Sequence, residues 1–295
     1  MFDLYQPPQS SHEPETDGTR GLLARPNRCA ASAGWTWTWQ TLSLFHAQGG
    51  KWMLIGLAAL LCNLPFQLLA TTMPMPNHLY WLGAVGTFLL DVFLICGMVY
   101  GAASQVASGT LAAGSLLAGF RLKGKQVLAL GLIQLIICFV LLMAISAPLA
   151  VLFGLLDASP SMQAFLQNTS MQIAALLAIG LVFVMGIMLS IGFTPSLVML
   201  GNVSPVRALA MNVRGGMANL VPLLIYALTM LVFTCALATL FVLFVTIFPQ
   251  AVTAVLKWWL GLPILIFLGV WNGLIAYAAY LSVWTDTELE LELEG

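Results

Sequence analysis

Charge is what this chain has least of: only 7% of its 295 residues are Asp, Glu, Lys or Arg, against 60% apolar. Soluble domains carry roughly 25% charged and about 45 to 50% apolar residues, so water is excluded as the main solvent. Patterns that carry chemistry are missing as well. There is no nucleophile elbow, P-loop, zinc signature or glycine-rich dinucleotide loop, and no pair of carboxylates inside an apolar stretch. That argues against an enzyme and names no catalytic residue, metal site or cofactor. The five cysteines, Cys29, Cys62, Cys96, Cys138 and Cys235, contain no C-x-x-C pair and read as small apolar fillers. A net charge of −1 gives no basic surface for nucleic acid.

What fills the chain instead is a train of six long apolar stretches, near Trp52 to Thr72, Leu79 to Gly101, Gln126 to Leu152, Gln172 to Leu200, Asn219 to Phe248 and Lys257 to Trp284. Each reaches the roughly 20 residues that a helix needs to cross a bilayer. The lipid bilayer is therefore the expected partner and solvent, and the expected class is an all-α polytopic membrane protein of six transmembrane helices.

Lys and Arg in short loops set orientation. Arg20, Arg25, Arg28 and Lys51 precede the first stretch, Arg121, Lys123 and Lys125 lie between the second and third, and Arg207 and Arg214 lie between the fourth and fifth. The alternate connections, Met73 to His78 and Asp157 to Met171, carry neither residue type, and only Lys257 breaks the pattern. Both termini and all basic loops are thus expected in the cytoplasm of a bacterial inner membrane. The first apolar run begins too late for a cleavable signal, so it is expected to act as its own anchor. Residues 1–34, rich in Pro, Ser, Glu, Thr and Gly, read as a disordered cytoplasmic tail, residues 35–284 as the membrane domain and residues 285–295 as an acidic cytoplasmic tail.

An internal repeat emerges when the basic segments are superimposed. Leu42 to Leu57, Leu117 to Leu132 and Ala210 to Ile225 align with Phe45, Phe120 and Val213 in register and with glycines before each long run: Gly49 and Gly50, Gly124, then Gly215 and Gly216. Each unit would be a short amphipathic helix, a glycine break and a transmembrane hairpin, three hairpins in all. In the third unit Ser204 precedes Pro205, which suits a helix start. Val206, Leu209, Ala210 and Val213 then recur at helical spacing, with Arg207 and Arg214 together on another face. Arg121, Lys123, Lys125, Arg207 and Arg214 are the candidates for lipid headgroups, beside their simpler role as topological charges. Trp35, Trp37 and Trp39 read as an interfacial anchor.

Asp91 is the one ionisable residue near the middle of a span. An intramembrane carboxylate costs roughly 2.5 to 3.5 kcal/mol on insertion scales and so faces a bundle interior or a wet cavity. Protonated, it would hydrogen-bond to Asn63, Gln134 or Asn272; ionised, it would take part in proton or cation movement. Met73, Met75 and His78 are soft enough for Cu(I), but a proline-rich turn explains them without metal. Asn168-Thr169-Ser170 matches a glycosylation sequon that matters only in a secretory host. Gly97 and Gly101, and Gly269 and Gly273, form small-xxx-small faces suited to packing inside the bundle.

The segments Phe193-Thr194-Pro195-Ser196-Leu197-Val198 and Ser204-Pro205-Val206-Arg207-Ala208-Leu209, followed by Asn219, Pro222 and Tyr226, resemble a family of uncharacterised proteobacterial multi-pass inner-membrane proteins. That family is itself distantly similar to the membrane domains of some glycerophosphodiester phosphodiesterases. The resemblance spans roughly residues 34–284 and implies a six-helix fold, with no activity and no catalytic residues to transfer. The sequence supports a non-enzymatic protein that organises anionic lipids or membrane-protein partners, with a small transporter or proton-coupled permease using Asp91 as the alternative.

Overall fold

The structure, a computed structural model, describes residues 21–72, 78–156, 192–247 and 250–286. These residues are helical apart from short connections and one isolated antiparallel bridge, between Leu22 and Thr285. The helices are α1 (Ala33–Ala47), α2 (Gly49–Thr72), α3 (His78–Ser108), α4 (Ala118–Leu156, preceded by a 3-10 turn at Ala113–Leu117), α5 (Thr194–Met199), α6 (Pro205–Ala218), α7 (Leu220–Ile247) and α8 (Gln250–Trp284). Five spans are long and apolar enough to cross a membrane: Gly49–Leu69, His78–Ser108, Gly114–Leu141, Leu220–Leu237 and Gly261–Trp284. Most of the fourth expected stretch, residues 172–191, lies outside the described residues, as do Met73, Met75 and Asn168. Its described end is the short helix α5.

Large apolar side chains stay exposed along the outer faces of α2, α4, α7 and α8, among them Leu54, Leu61, Ile136, Phe139, Val232 and Leu265. In water such belts would drive aggregation; in a bilayer they are the solvated surface. The span of α8 is 61% buried, against 22% for those of α4 and α7, which places α8 inside. With α3 and α5, which it touches, it forms an inner group around which α2 and α4 pack.

The repeat has a physical basis in three joints. Between α1 and α2, Gln48 takes φ −140°, ψ 43°. Within α4, Lys123 takes φ −139°, ψ 34°, and between α6 and α7, Asn219 takes φ −123°, ψ 34°. Each joint separates a short helical segment from a long apolar helix. With the joints superposed, Trp52, Val127 and Leu223 coincide, then Ile55, Leu130 and Tyr226, and all six are buried. This register moves the third unit by three residues from the one expected by sequence, so Gly216 rather than Val213 aligns with Phe45 and Phe120. Nor do the glycines form the breaks. Gly215 and Gly216 lie inside α6, where a Cβ on Gly215 would stand 2.9 Å from the Trp284 indole nitrogen.

Each joint side chain also holds the backbone of the next connection. Gln48 donates from Nε2 to Gly109 O (2.7 Å) and accepts at Oε1 from Leu111 N–H (3.0 Å). Lys123 Nζ donates to Val198 O (2.7 Å) and Asn202 Oδ1 (2.9 Å). Asn219 Oδ1 accepts from Cys29 N–H (2.7 Å), while its Nδ2 donates to Asn27 O (2.8 Å). The third connection is not continuous chain: the segment Leu22–Cys29 lies beside the end of α8, with Leu23 N–H donating to Trp284 O and Asn27 N–H to Val283 O. The amino-terminal segment therefore closes the ring. Leu22 and Leu23 are buried, so the packed body begins near residue 22 and not at residue 35.

Two further expectations change. Ser204 precedes α6 in extended conformation, but its side chain makes no cap and its carbonyl alone accepts from Ala208 N–H. The buried face of α6 is Ala208, Met211, Asn212, Gly215 and Gly216, leaving Val206, Ala210, Val213 and Met217 as an exposed apolar stripe. Of the four spaced glycines, Gly97 and Gly101 meet Leu116 and Ser115 and Gly273 meets Met98, whereas nothing lies near Gly269.

Replacing Asn219 with Ala removes the acceptor for Cys29 N–H and is expected to cost about 1–3 kcal/mol. Because the bond at risk begins the residue after Arg28, the variant should be cut by trypsin at Arg28 faster than wild type in lipid discs; equal cleavage would show that the clamp does not hold this segment.

Candidate functional site

The inner helices do not close on one another. Between them lies a cavity of about 300 Å³ whose walls include Phe88, Asp91 and Ile95 from α3, Gln134 from α4, and Phe193 and Pro195 at the start of α5. Leu223 and Tyr226 come from α7, Asn272, Ala276 and Ala279 from α8, and Trp37 from α1. That volume is at the small end of ligand sites, and the lining is the usual mixture of apolar wall and a few convergent polar groups.

Asp91 sits in α3 about 20 Å from His78 and about 26 Å from Ser108 at 1.5 Å per residue, well inside the span. Its Oδ1 accepts a 2.6 Å hydrogen bond from Asn63 Nδ2 on α2. Gln134, 2% exposed, donates from Nε2 to Thr194 Oγ1 at 2.7 Å, tying α4 to α5. Asn272 lines the same cavity, with its Nδ2 3.3 Å from Leu268 O of its own helix. Of the four polar residues singled out in the sequence, three line one cavity and the fourth, Asn63, holds the carboxylate from behind.

Backbone groups around the cavity are well served. Phe193 N–H donates to Asn212 Oδ1, and Ser196 Oγ donates to Ala276 O at 2.9 Å. Trp271 Nε1 donates to Tyr226 Oη at 3.2 Å, so the tyrosine oxygen acts there as acceptor and its own proton is left to point elsewhere. Among the described residues, Trp37 Nε1 in the cavity wall and Oδ1 of Asn63, the donor to Asp91, are buried atoms that lack a protein partner. Unsatisfied buried groups of this kind normally meet water or a ligand.

Trp37 also borders a second, polar recess at the basic end, lined by Asn27, Arg28, Cys29, Thr36, Gln40, Ser282 and Asp286. The Trp37 side chain thus borders both the recess and the central cavity. Burial raises the Cys29 thiol above its ordinary value, which keeps it protonated and unreactive at neutral pH.

The aromatic members of the cavity were not legible as site residues. The tryptophan cluster splits: Trp35 and Trp39 are half exposed and meet edge to face at 5.6 Å, consistent with an interfacial anchor, while Trp37 is 1% exposed and belongs to the interior. The signal was the alternation Trp-Thr-Trp-Thr-Trp, which in a helix puts the middle ring on a different face from the outer two. Among the headgroup candidates, Lys123 donates from Nζ to Val198 O and Asn202 Oδ1. Arg121, Lys125, Arg207 and Arg214 are exposed. Among the described residues no cluster of His, Cys, Asp or Glu is arranged to hold a metal.

No family model matches the chain, and comparison with curated proteins and with solved structures returned no match.

Asn63→Leu would leave Asp91 without its donor. It is expected to lower stability by about 1–3 kcal/mol, and the double change Asn63→Leu with Asp91→Leu should recover part of that loss, because two matched apolar groups need no partner. Thermal unfolding of the two variants in the same lipid discs checks this; a double variant less stable than the single one would contradict it.

Proposed function

We propose that the protein is a multi-pass carrier of the bacterial inner membrane, not an enzyme, that admits a small solute from the basic end past Trp37 into the central cavity, where Asp91 is the polar anchor. The supporting observation is the convergence of Asp91, Gln134 and Asn272, from three helices, on one cavity that shares Trp37 with a polar recess. A carboxylate at this depth is costly, and a bundle interior that spends it beside open space, instead of burying it in contact with Asn63 alone, fits a binding role. On this reading the basic end, with both termini, faces the cytoplasm.

A water-soluble carbodiimide applied from the basic side should modify Asp91 about tenfold faster when Trp37 is replaced by Ala, taking about 1.4 kcal/mol as the barrier the ring imposes. Peptide mass spectrometry reads the adduct directly. Modification that is unchanged by Trp37→Ala would remove the proposed route.

A second reading, that the protein organises anionic lipid or a membrane-protein partner, is favoured by α6. Its exposed stripe of Val206, Ala210, Val213 and Met217 runs beside exposed Arg207 and Arg214, the pattern of a helix lying in the membrane interface. Each basic side chain near an anionic surface contributes about 1 kcal/mol. Arg121→Gln with Arg214→Gln should therefore weaken the affinity for anionic lipid about thirtyfold, read as lipid retained on the purified protein by native mass spectrometry; unchanged lipid would leave these residues as topological charges.

A further inference from the structure

Among the described cavity walls Asp91 has no cationic neighbour. No Lys, Arg or His lies between His78 and Arg121, between Lys125 and Arg207, between Arg214 and Lys257 or after Lys257. The segments outside the described residues are included in that statement, so nothing in residues 157–191 supplies a counter-charge. The nearest basic groups along their helices are at the ends: His78 opens α3, and Lys123, at the α4 joint, is held by Val198 and Asn202. Asn63 and Gln134 present neutral amides, and Asn272 does the same from α8. Apart from Asp91, the sole titratable residue among the described cavity walls is Tyr226, which cannot carry a positive charge.

The rest of the wall is aromatic and aliphatic. Trp37, Phe88, Phe193 and Tyr226 come from four different helices or their ends and border the same 300 Å³. Aromatic faces attract cations as well as apolar bodies, and more strongly where water is excluded. A carboxylate hydrogen-bonded to Asn63 but with no counter-charge among the described walls can be neutralised by a proton or by a positively charged guest.

The geometry points to a small lipophilic monocation, an ammonium-type group on an apolar body, as the occupant of the central cavity, its charge against Asp91 and its body against Phe88, Phe193, Tyr226 and Trp37. This rests on the carrier reading and names its substrate class. The guest and the proton compete for one carboxylate, so binding strengthens as pH rises and the proton is withdrawn. An anionic solute is disfavoured, because no cationic side chain is among the described walls of the chamber.

The test uses an isosteric pair, the cation benzyltrimethylammonium and the neutral hydrocarbon neopentylbenzene, on the full-length protein in lipid discs. Dicyclohexylcarbodiimide adds to the protonated Asp91 carboxyl, and the rate of adduct formation is followed by mass spectrometry with each probe present at the same concentration. The expected result is that the cation slows modification about tenfold, increasingly so at higher pH, and that the hydrocarbon does not. Direct binding of the cation by equilibrium dialysis should be lost in Asp91→Asn and retained in Asp91→Glu, a comparison that separates loss of charge from loss of fold. Equal protection by both probes would overturn the cationic class while leaving the cavity as a solute site. Protection by neither, with Asp91 still modified, would overturn both.

Discussion

Backbone polar groups cannot be left open in or near hydrocarbon, and the architecture depends on how this chain breaks its helices under that constraint. Three joints interrupt the helical hydrogen-bond ladder, and each carries a side chain with the reach to satisfy other backbone groups: Gln48, Lys123 and Asn219. Gln48 reaches the connection between α3 and α4, Lys123 the end of α5 and the connection to α6, and Asn219 the segment Leu22–Cys29, so a joint and a loop distant in sequence, such as Asn219 and Cys29, satisfy each other. Because the φ/ψ values at the three joints agree closely, the long helices leave the basic end in equivalent ways, and buried positions recur at equivalent places below the joints.

The interior follows from that arrangement. Joints that fix the outer helices α2, α4 and α7 leave the inner group of α3, α5 and α8 to pack through small contacts. Gly273 of α8 stands so close to Met98 of α3 that a methyl group would collide, as would one on Gly97 against Leu116 in the turn before α4. The cavity lies between the inner helices, with Phe88, Asp91 and Ile95 of α3 and Asn272, Ala276 and Ala279 of α8 among its walls. Gln134 and Thr194 lock one wall and Trp271 and Tyr226 another, so the chamber is bounded by hydrogen bonds that cost little in a medium without competing water.

Much of this was readable in the residues, and the misreadings have physical causes. Apolar runs of twenty residues define spanning helices because length and hydropathy are the requirements themselves; Asp91 stood out because charge is rare there. The register of the third repeat was misplaced by nearly one helical turn, since matching apolar residues does not distinguish a buried Leu223 from an exposed Val213 when lipid and protein interior are equally apolar. For the same reason Trp37 could not be told from Trp35 and Trp39. The hydrogen bonds of Lys123 are invisible to local sequence because its acceptors, Val198 O and Asn202, are seventy-five and seventy-nine residues away. Order in Leu22–Cys29 was hidden because its partners are backbone carbonyls of α8, which carry no sequence signature.

That last segment connects the closure of the ring to the chemistry of its centre. Asn219 holds Asn27 and Cys29, which lead after a few residues into α1, and α1 crosses α7 so closely that Gly34 faces the Pro222 carbonyl and the Tyr226 amide with no room for a side chain. One turn further on the same helix is Trp37, the wall shared by the recess and the cavity. Its position is therefore set at two points, by the clamp at the joint and by the Gly34 crossing, and both belong to the closure between the third unit and the first. The first two connections are continuous chain and admit no such freedom. If any of the three seams opens while the bundle stays intact, it is the one made only of hydrogen bonds and packing, and that seam is the one that carries Trp37, which borders both the recess and the cavity of Asp91.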